Sequence, residues 1–329
     1  MIKKGEAVKI FGLAVMTLFI VVLLISLASS ESGFLKSLRS ILTGKATSQT
    51  FNLNISVGNS APNITAVYIG SSQSPSEGGV RNIQFYFTAN DTDGSANIDT
   101  ASGKANFTFY NASSTIVRTN NSCVSLGAID TKTLNFSCTV GLWYFDPQLS
   151  LWGVTAYVTD NSAAAGQNTT NNFTYQSLQA FVLHPSALTF NSINPGGTNT
   201  SSSNDPLVLN NTGNYHFSQT TANVSINATD LAGEANGAYA LYANNFTVGN
   251  TTGGSPLIEC GGAGSFFMTK SAYKNITSAV LGYGNLSAGS GTAQSNTYVC
   301  LTLAGNELTS QAYSTGGPNS NGAWTVKVG

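Results

Sequence analysis

Apolar residues follow two patterns along this chain. From Ile10 to Ala28 they form an unbroken run without charge, IFGLAVMTLFIVVLLISLA, preceded by Lys3, Lys4 and Lys9. At ~1.5 Å per residue such a helix matches a ~30 Å hydrocarbon core. Beyond residue 46 the pattern changes to short alternations of apolar and polar residues, separated by Asn, Gly, Asp and Ser clusters, which read as strands and turns. Candidate strands of a first unit are Ile64–Ile69, Asn82–Phe87, Ala105–Tyr110, Thr115–Val117, Thr133–Val140, Leu151–Val158 and Asn172–Tyr175. Phe51 to Val57 is a further strand candidate in the lead before them. About seven strands in ~115 residues, with no amphipathic helix between them, is the count of an immunoglobulin-like sandwich.

Pro185 to Gly197 opens a second unit. Its strand candidates are Ala187–Phe190, Pro206–Leu209, Ala222–Ala228, Phe246–Val248, Ser265–Thr269, Thr297–Leu303, Gln311–Tyr313 and Ala323–Val328. The fold class expected is therefore all-β: an N-terminal transmembrane or signal helix, then two tandem Ig-like β-sandwiches. The divisions are 1–45 for the basic segment, apolar helix and its extension, 46–60 for an extended linker, 61–177 for the first sandwich and 178–329 for the second.

The apolar run is longer than the ~7–15 residues a cleaved signal needs, which favours an uncleaved anchor. Ala28-Ser29-Ser30 leaves cleavage open. Lys36, Arg39 and Lys45 follow the run and nearly balance the lysines before it, so basic residues alone do not orient it. In Phe34 to Leu42, the apolar residues Phe34, Leu35, Leu38, Ile41 and Leu42 share one helical stripe, suiting a helix near the headgroups or a surface that packs on other copies.

Charged residues make up 8% of the chain, against ~25% in ordinary soluble domains. The part after residue 45 carries a net charge near −5, which argues against nucleic acid as a partner. Solubility must then come from amides, hydroxyls and glycans. Cys123, Cys138, Cys260 and Cys300 can pair in three ways; Cys123–Cys138 with Cys260–Cys300 keeps each bridge within one unit. A zinc site is the rival, but the chain has no CxxC and His184 and His216 stand apart.

Seventeen N-x-S/T sequons begin at Asn54, Asn63, Asn90, Asn106, Asn111, Asn120, Asn135, Asn168, Asn172, Asn199, Asn210, Asn223, Asn227, Asn245, Asn250, Asn275 and Asn285. Composition alone accounts for roughly half of them. Their middle residues carry more information: Ile55, Ile64, Phe107, Phe136, Phe173, Val224, Phe246, Ile276 and Leu286. In a strand, i and i+2 share a face while i+1 points to the other. Asn-Phe-Thr then places Asn and Thr in solvent and Phe in the core. Sequons and paired cysteines both suit an extracellular location, so the N-terminus is expected to stay inside the cell.

Asp91, Asp93, Asn97 and Asp99 form the densest acidic cluster. Oxygen ligands at alternate positions suit calcium; the same residues also suit a tight turn between strands. No cofactor other than this calcium is expected. Trp143, Tyr144 and Phe145 read as core and edge packing of the first sandwich rather than a ligand platform. The chain has no G-x-S-x-G, Walker or H-E-x-x-H motif, so an enzyme is not expected; a secreted hydrolase ranks third among the readings.

LTGKATSQTFNLNISV, FTANDTDGSANID and PLVLNNTGNYHFSQTTANVSINATDLAGE resemble segments of uncharacterised archaeal secreted proteins, S-layer-like or adhesin-like surface components built from glycosylated β-sandwiches. The resemblance implies a membrane-anchored extracellular glycoprotein with a structural or adhesive role and no activity, whose partners are the membrane through Ile10–Ala28, other surface proteins or glycans, and further copies of itself. Lys3-Lys4-Gly5 followed by Glu6 and the apolar run is similar to the leader of archaeal pilins and archaellins, although Lys9 stands where that pattern has an apolar residue. This second resemblance implies cleavage after Gly5 and a filament whose core is the bundled helices.

Overall fold

The computed structural model describes residues 15–21, 50–111, 114–148, 151–218, 220, 222–249, 260–262, 264–276, 279–286 and 292–329. The chain divides into two compact units, Met1–Gly58 and Asn59–Gly329. In the first unit, residues 15–21 are helical and their large apolar side chains are exposed. The rest of Ile10–Ala28 and all of Phe34–Leu42 lie outside the described residues. Among those described, no helix is long and apolar enough to cross a membrane.

The second unit is all-β and contains two separate hydrophobic cores. Around the first core run β1 (Asn63–Tyr68), β2 (Ser72–Gln73), β3 (Val80–Asn90), β4 (Lys104–Asn111), β5 (Ser114–Asn120), β6 (Val124–Ala128), β7 (Thr133–Trp143), β8 (Leu151–Thr159) and β9 (Ala165–Tyr175). They form two sheets, ordered β1-β3-β7-β6 and β2-β9-β8-β4-β5. Every pairing is antiparallel except that of β2 with β9. Alternation explains the strands: β7 reads TLNFSCTVGLW, and its Leu134, Phe136, Cys138, Val140 and Leu142 are buried while the residues between them are not. Phe87 stacks on Phe136 with centroids 4.9 Å apart in one sheet, Phe107 meets Phe173 edge-on at 4.8 Å in the other, and Phe85 packs on Phe107 at 5.4 Å between the two inner faces.

Around the second core run β10 (Phe181–His184), β11 (Thr198–Ser201), β12 (Leu207–Asn211), β13 (Val224–Asn227), β14 (Leu231–Gly233), β15 (Ala240–Leu241), β16 (Phe246–Gly249), β17 (Phe266–Phe267), β18 (Lys274–Asn275), β19 (Gln294–Leu303), β20 (Tyr313–Ser314) and β21 (Thr325–Val328). The main sheet is ordered β10-β12-β19-β16-β17, with β11 also on β19; two small sheets, β18-β13-β21 and β15-β14-β20, complete this half. Cys123 pairs with Cys138, Cα atoms 4.5 Å apart, and Cys260 with Cys300, 5.1 Å apart, the one-bridge-per-half arrangement that spacing favoured.

Two strand expectations change, and several short strands were not expected. Phe51 to Val57 has no ladder: its alternation is that of a strand, but none of the described strands pairs with it, and a strand needs a partner for its backbone groups. Ala187–Phe190 is irregular, and the strand here is instead β10, immediately before Pro185, where the second unit was expected to open. The short strands β2, β6, β11, β14, β15 and β18 carry too little alternation to be read from sequence.

Candidate functional site

The outer faces of the sheets are the most extensive feature the sequence anticipated. Seven of the nine apolar sequon centres are buried: Ile64, Phe107, Phe136, Phe173, Val224, Phe246 and Ile276. The Asn residues before them are exposed or half-buried. The third residues are less uniform, because Thr108, Ser225 and Thr247 are buried as well. The outer face is covered at those points, and the expected exposure holds for Asn rather than for the whole sequon. Ile55 is 71% exposed, because its segment has no sheet to face, and Leu286 is half-buried. Seven of the Asn side chains illustrate two environments. Those of Asn120, Asn168 and Asn245 donate Nδ2 to the carbonyls of Thr139, Ile64 and Leu303, and Asn90 donates to Thr133 Oγ1. Asn63, Asn172 and Asn275 are exposed on strands, and Nδ2 is the atom a glycan would take. Asn250 lies outside the described residues.

The acidic cluster occupies the pole of the first sandwich where β1 begins and β3 and β8 end. Asp91 is fully buried; its Oδ1 accepts the Asp93 N–H at 2.8 Å and its Oδ2 the Asn97 amide at 3.1 Å. Gly94 takes φ 114°, a turn conformation that disfavours any side chain. Asp93 accepts the Ser60 N–H at 2.7 Å, and Asp99 caps a separate turn through the Ala101 N–H at 2.9 Å. Asn59 links the loops: its Nδ2 donates to Asp160 Oδ2 at 2.6 Å and its Oδ1 accepts from Asn97 at 3.0 Å. Asp160 is held below the usual carboxylate range, first by the Asn59 amide and then by the N–H groups of Ala164 and Ser162. Asp130 is lowered too, chiefly by the Lys132 N–H. Asp91 and Asn97 are thus brought together, while Asp93 and Asp99 are turned to backbone donors. Among the described residues no three His, Cys, Asp or Glu side chains gather as a metal ion would require.

At the opposite pole the two halves meet through a polar clasp. Asn214, fully buried, donates to the Asp146 carbonyl at 3.2 Å and the Gln176 carbonyl at 3.0 Å, and its Oδ1 accepts the Leu178 N–H at 2.7 Å. The Gly78 N–H donates to the Thr212 carbonyl at 2.8 Å. The Leu178 carbonyl approaches Gly213 so closely that a Cβ there would overlap it. Tyr144 is buried and donates to the Gly284 carbonyl at 3.2 Å while accepting the Leu286 N–H at 3.1 Å. The Trp143-Tyr144-Phe145 cluster does pack, as expected, but its middle residue packs across to the second half. Trp143 stays partly exposed and stacks on Phe145.

Beside the clasp lies a cleft of about 600 Å³ that holds Arg118 and Asp146. Arg118 Nε donates to Asp146 Oδ2 at 3.0 Å, and its Nη2 pairs with Oδ1. Asp146 also accepts the Trp143 N–H at 2.8 Å. Its carboxylate, together with Arg81, lies near Tyr175, whose hydroxyl is pushed well above its usual range by burial first and by Asp146 second.

A larger concavity lies in the second half, a groove of about 860 Å³ between the main sheet and the β21 side. Its floor includes Leu207, Ile226, Phe246, Val299 and Leu301, and its rim Leu188, Phe190, Leu308, Tyr313 and Trp324. Among the described residues no Lys, Arg, Asp or Glu lines it. Neither the ion pair nor the groove is legible in sequence, because both join residues from distant strands. For the clasp the only local sign is the polar run Asn210-Asn211-Thr212-Gly213-Asn214, in which Asn211 and Asn214 are both fully buried. No family model and no curated protein sequence matches this chain.

Proposed function

We propose that this chain is a membrane-anchored extracellular glycoprotein with a structural or adhesive role at the cell surface, of the S-layer-like or adhesin-like kind that its sequence resembles. The observation that carries the reading is the burial of seven apolar sequon centres next to Asn residues that stay exposed or half-buried. Acceptor residues in this register coat both halves without disturbing either core. The sheet orders β1-β3-β7-β6 and β5-β4-β8-β9-β2 contain those of an Ig-like sandwich with two added strands, β5 and the short β2, which supports the Ig-like reading of the first half. The apolar run Ile10–Ala28 supplies the anchor. Protease shaving of intact native cells tests the reading: residues 59–329 should be removed from outside, and full protection in intact cells with digestion after lysis contradicts it.

A second reading, a filament subunit, is favoured by one specific observation. Phe51, Leu53, Ile55 and Val57 alternate with polar residues and are all exposed, as a segment that pairs with another copy would be.

A further inference from the structure

We propose that residues 51–57 of one copy dock as a β-strand into the groove of the second half of another copy, extending the small sheet along β21. The inference rests on the filament reading.

Three observations carry it. The first is the pattern: Phe51, Leu53, Ile55 and Val57 occupy every second position, with Asn52, Asn54 and Ser56 between them. In a strand, four apolar side chains then share one face and the Asn54 sequon lies on the other. Their exposures run from 71% to 88%, so this face is unused in the single chain. The second is the acceptor. The groove is apolar at its floor, lined by no charged residue among those described, and bordered by Trp324 and Val326, on or next to β21. β21 is an edge strand among the described residues, pairing only with β13. An edge strand with unpaired backbone groups beside an open apolar groove is the acceptor that strand addition requires. The donor is likewise uncharged from Thr47 to Ser60, so docking strips water from no ion. The four side chains offer on the order of 400 Å² of apolar surface; with the strand backbone and the matching groove wall this reaches the ~1,000 Å² of a specific interface.

The third observation excludes the chain's own groove. Asn59 and Ser60 are hydrogen-bonded to Asp160 and Asp93 at the far pole of the first sandwich. The eleven-residue β3 spans that sandwich from the clasp to this pole, a distance of about 35 Å. Val57 lies two residues from Asn59 and reaches at most ~7 Å from it. The donor can therefore fill only the groove of a second molecule. Donor and acceptor are different surfaces, so the contact is heterologous and repeats from copy to copy without closing.

The test uses the full-length protein from its native source with p-benzoylphenylalanine in place of Phe51, irradiated and mapped by peptide mass spectrometry, with electron microscopy of the same preparation. Cross-links in dimers and higher bands should join position 51 to peptides spanning 188–193 or 308–326. A Leu53→Gln, Ile55→Gln variant should lose them at least tenfold with its thermal transition unchanged, because both side chains are exposed in the single chain. Filaments without such cross-links, or with cross-links to the first sandwich, overturn the docking and leave the filament reading standing. A preparation of single molecules without filaments or intermolecular cross-links overturns both.

Discussion

Within the sequon Asn135-Phe136-Ser137 the account makes opposite demands on neighbouring residues. Phe136 is fully buried and stacks on Phe87 at 4.9 Å; its ring also abuts Gly103, where even a Cβ would come within 2.9 Å of it. Replacing it with Ala removes a whole ring from a closely packed site, at a cost of about 3–5 kcal/mol. For a sandwich of about 110 residues the unfolding entropy makes this a fall in Tm of about 12–20 °C. Asn135→Gln, on the outer face, should change stability by no more than about 0.5 kcal/mol in unglycosylated protein. Thermal unfolding by circular dichroism, with the first sandwich followed separately by the fluorescence of Trp143 and Trp152 in a Trp324→Phe background, measures both. A Phe136→Ala variant that loses less than about 1 kcal/mol, or an Asn135→Gln variant that loses as much as it does, would refute the alternation on which the outward-facing acceptors depend.

Arg118→Ala leaves the buried Asp146 carboxylate without its cation, and should cost about 3–5 kcal/mol in denaturant unfolding. Asp160 and Asp130 both have lowered pKa values, so the stability they contribute is complete above the ordinary carboxylate pKa near ~4 and is lost as pH falls through their lowered values. A Tm-against-pH series through that acidic window should fall, less steeply in Asn59→Ala, which removes the largest cause of the Asp160 shift. Reducing the bridges should destabilise the halves by about 3 and 4 kcal/mol by the loop-entropy model, given separations of 15 and 40 residues; mass-resolved alkylation during a thermal ramp follows each bridge.

Alternation made most of the first sandwich legible. β3, β4, β7 and β8 each carry a run of buried residues at every second position, and turn-forming residues mark their ends. In the second half the short strands β11, β14, β15 and β18 escaped, since β15 or β18 contains no complete alternation and is held by neighbours far away in sequence. The acidic cluster was visible as composition, but its geometry depends on Asn59 and Asp160, which lie 101 positions apart. The Arg118–Asp146 pair and the Asn214 clasp were invisible for the same reason: single polar residues among many, made distinctive only by burial. The segment 51–57 was legible as a strand pattern, yet it pairs with none of the described strands.

The most direct test of the central claim is the intact mass of the protein from native cells, before and after chemical deglycosylation, with its modified peptides mapped. The account predicts a mass well above 34.1 kDa, with glycans on Asn63, Asn172 and Asn275 in preference to Asn120 and Asn245, whose amides are engaged. A chain that carries no glycan at any of these positions would contradict it.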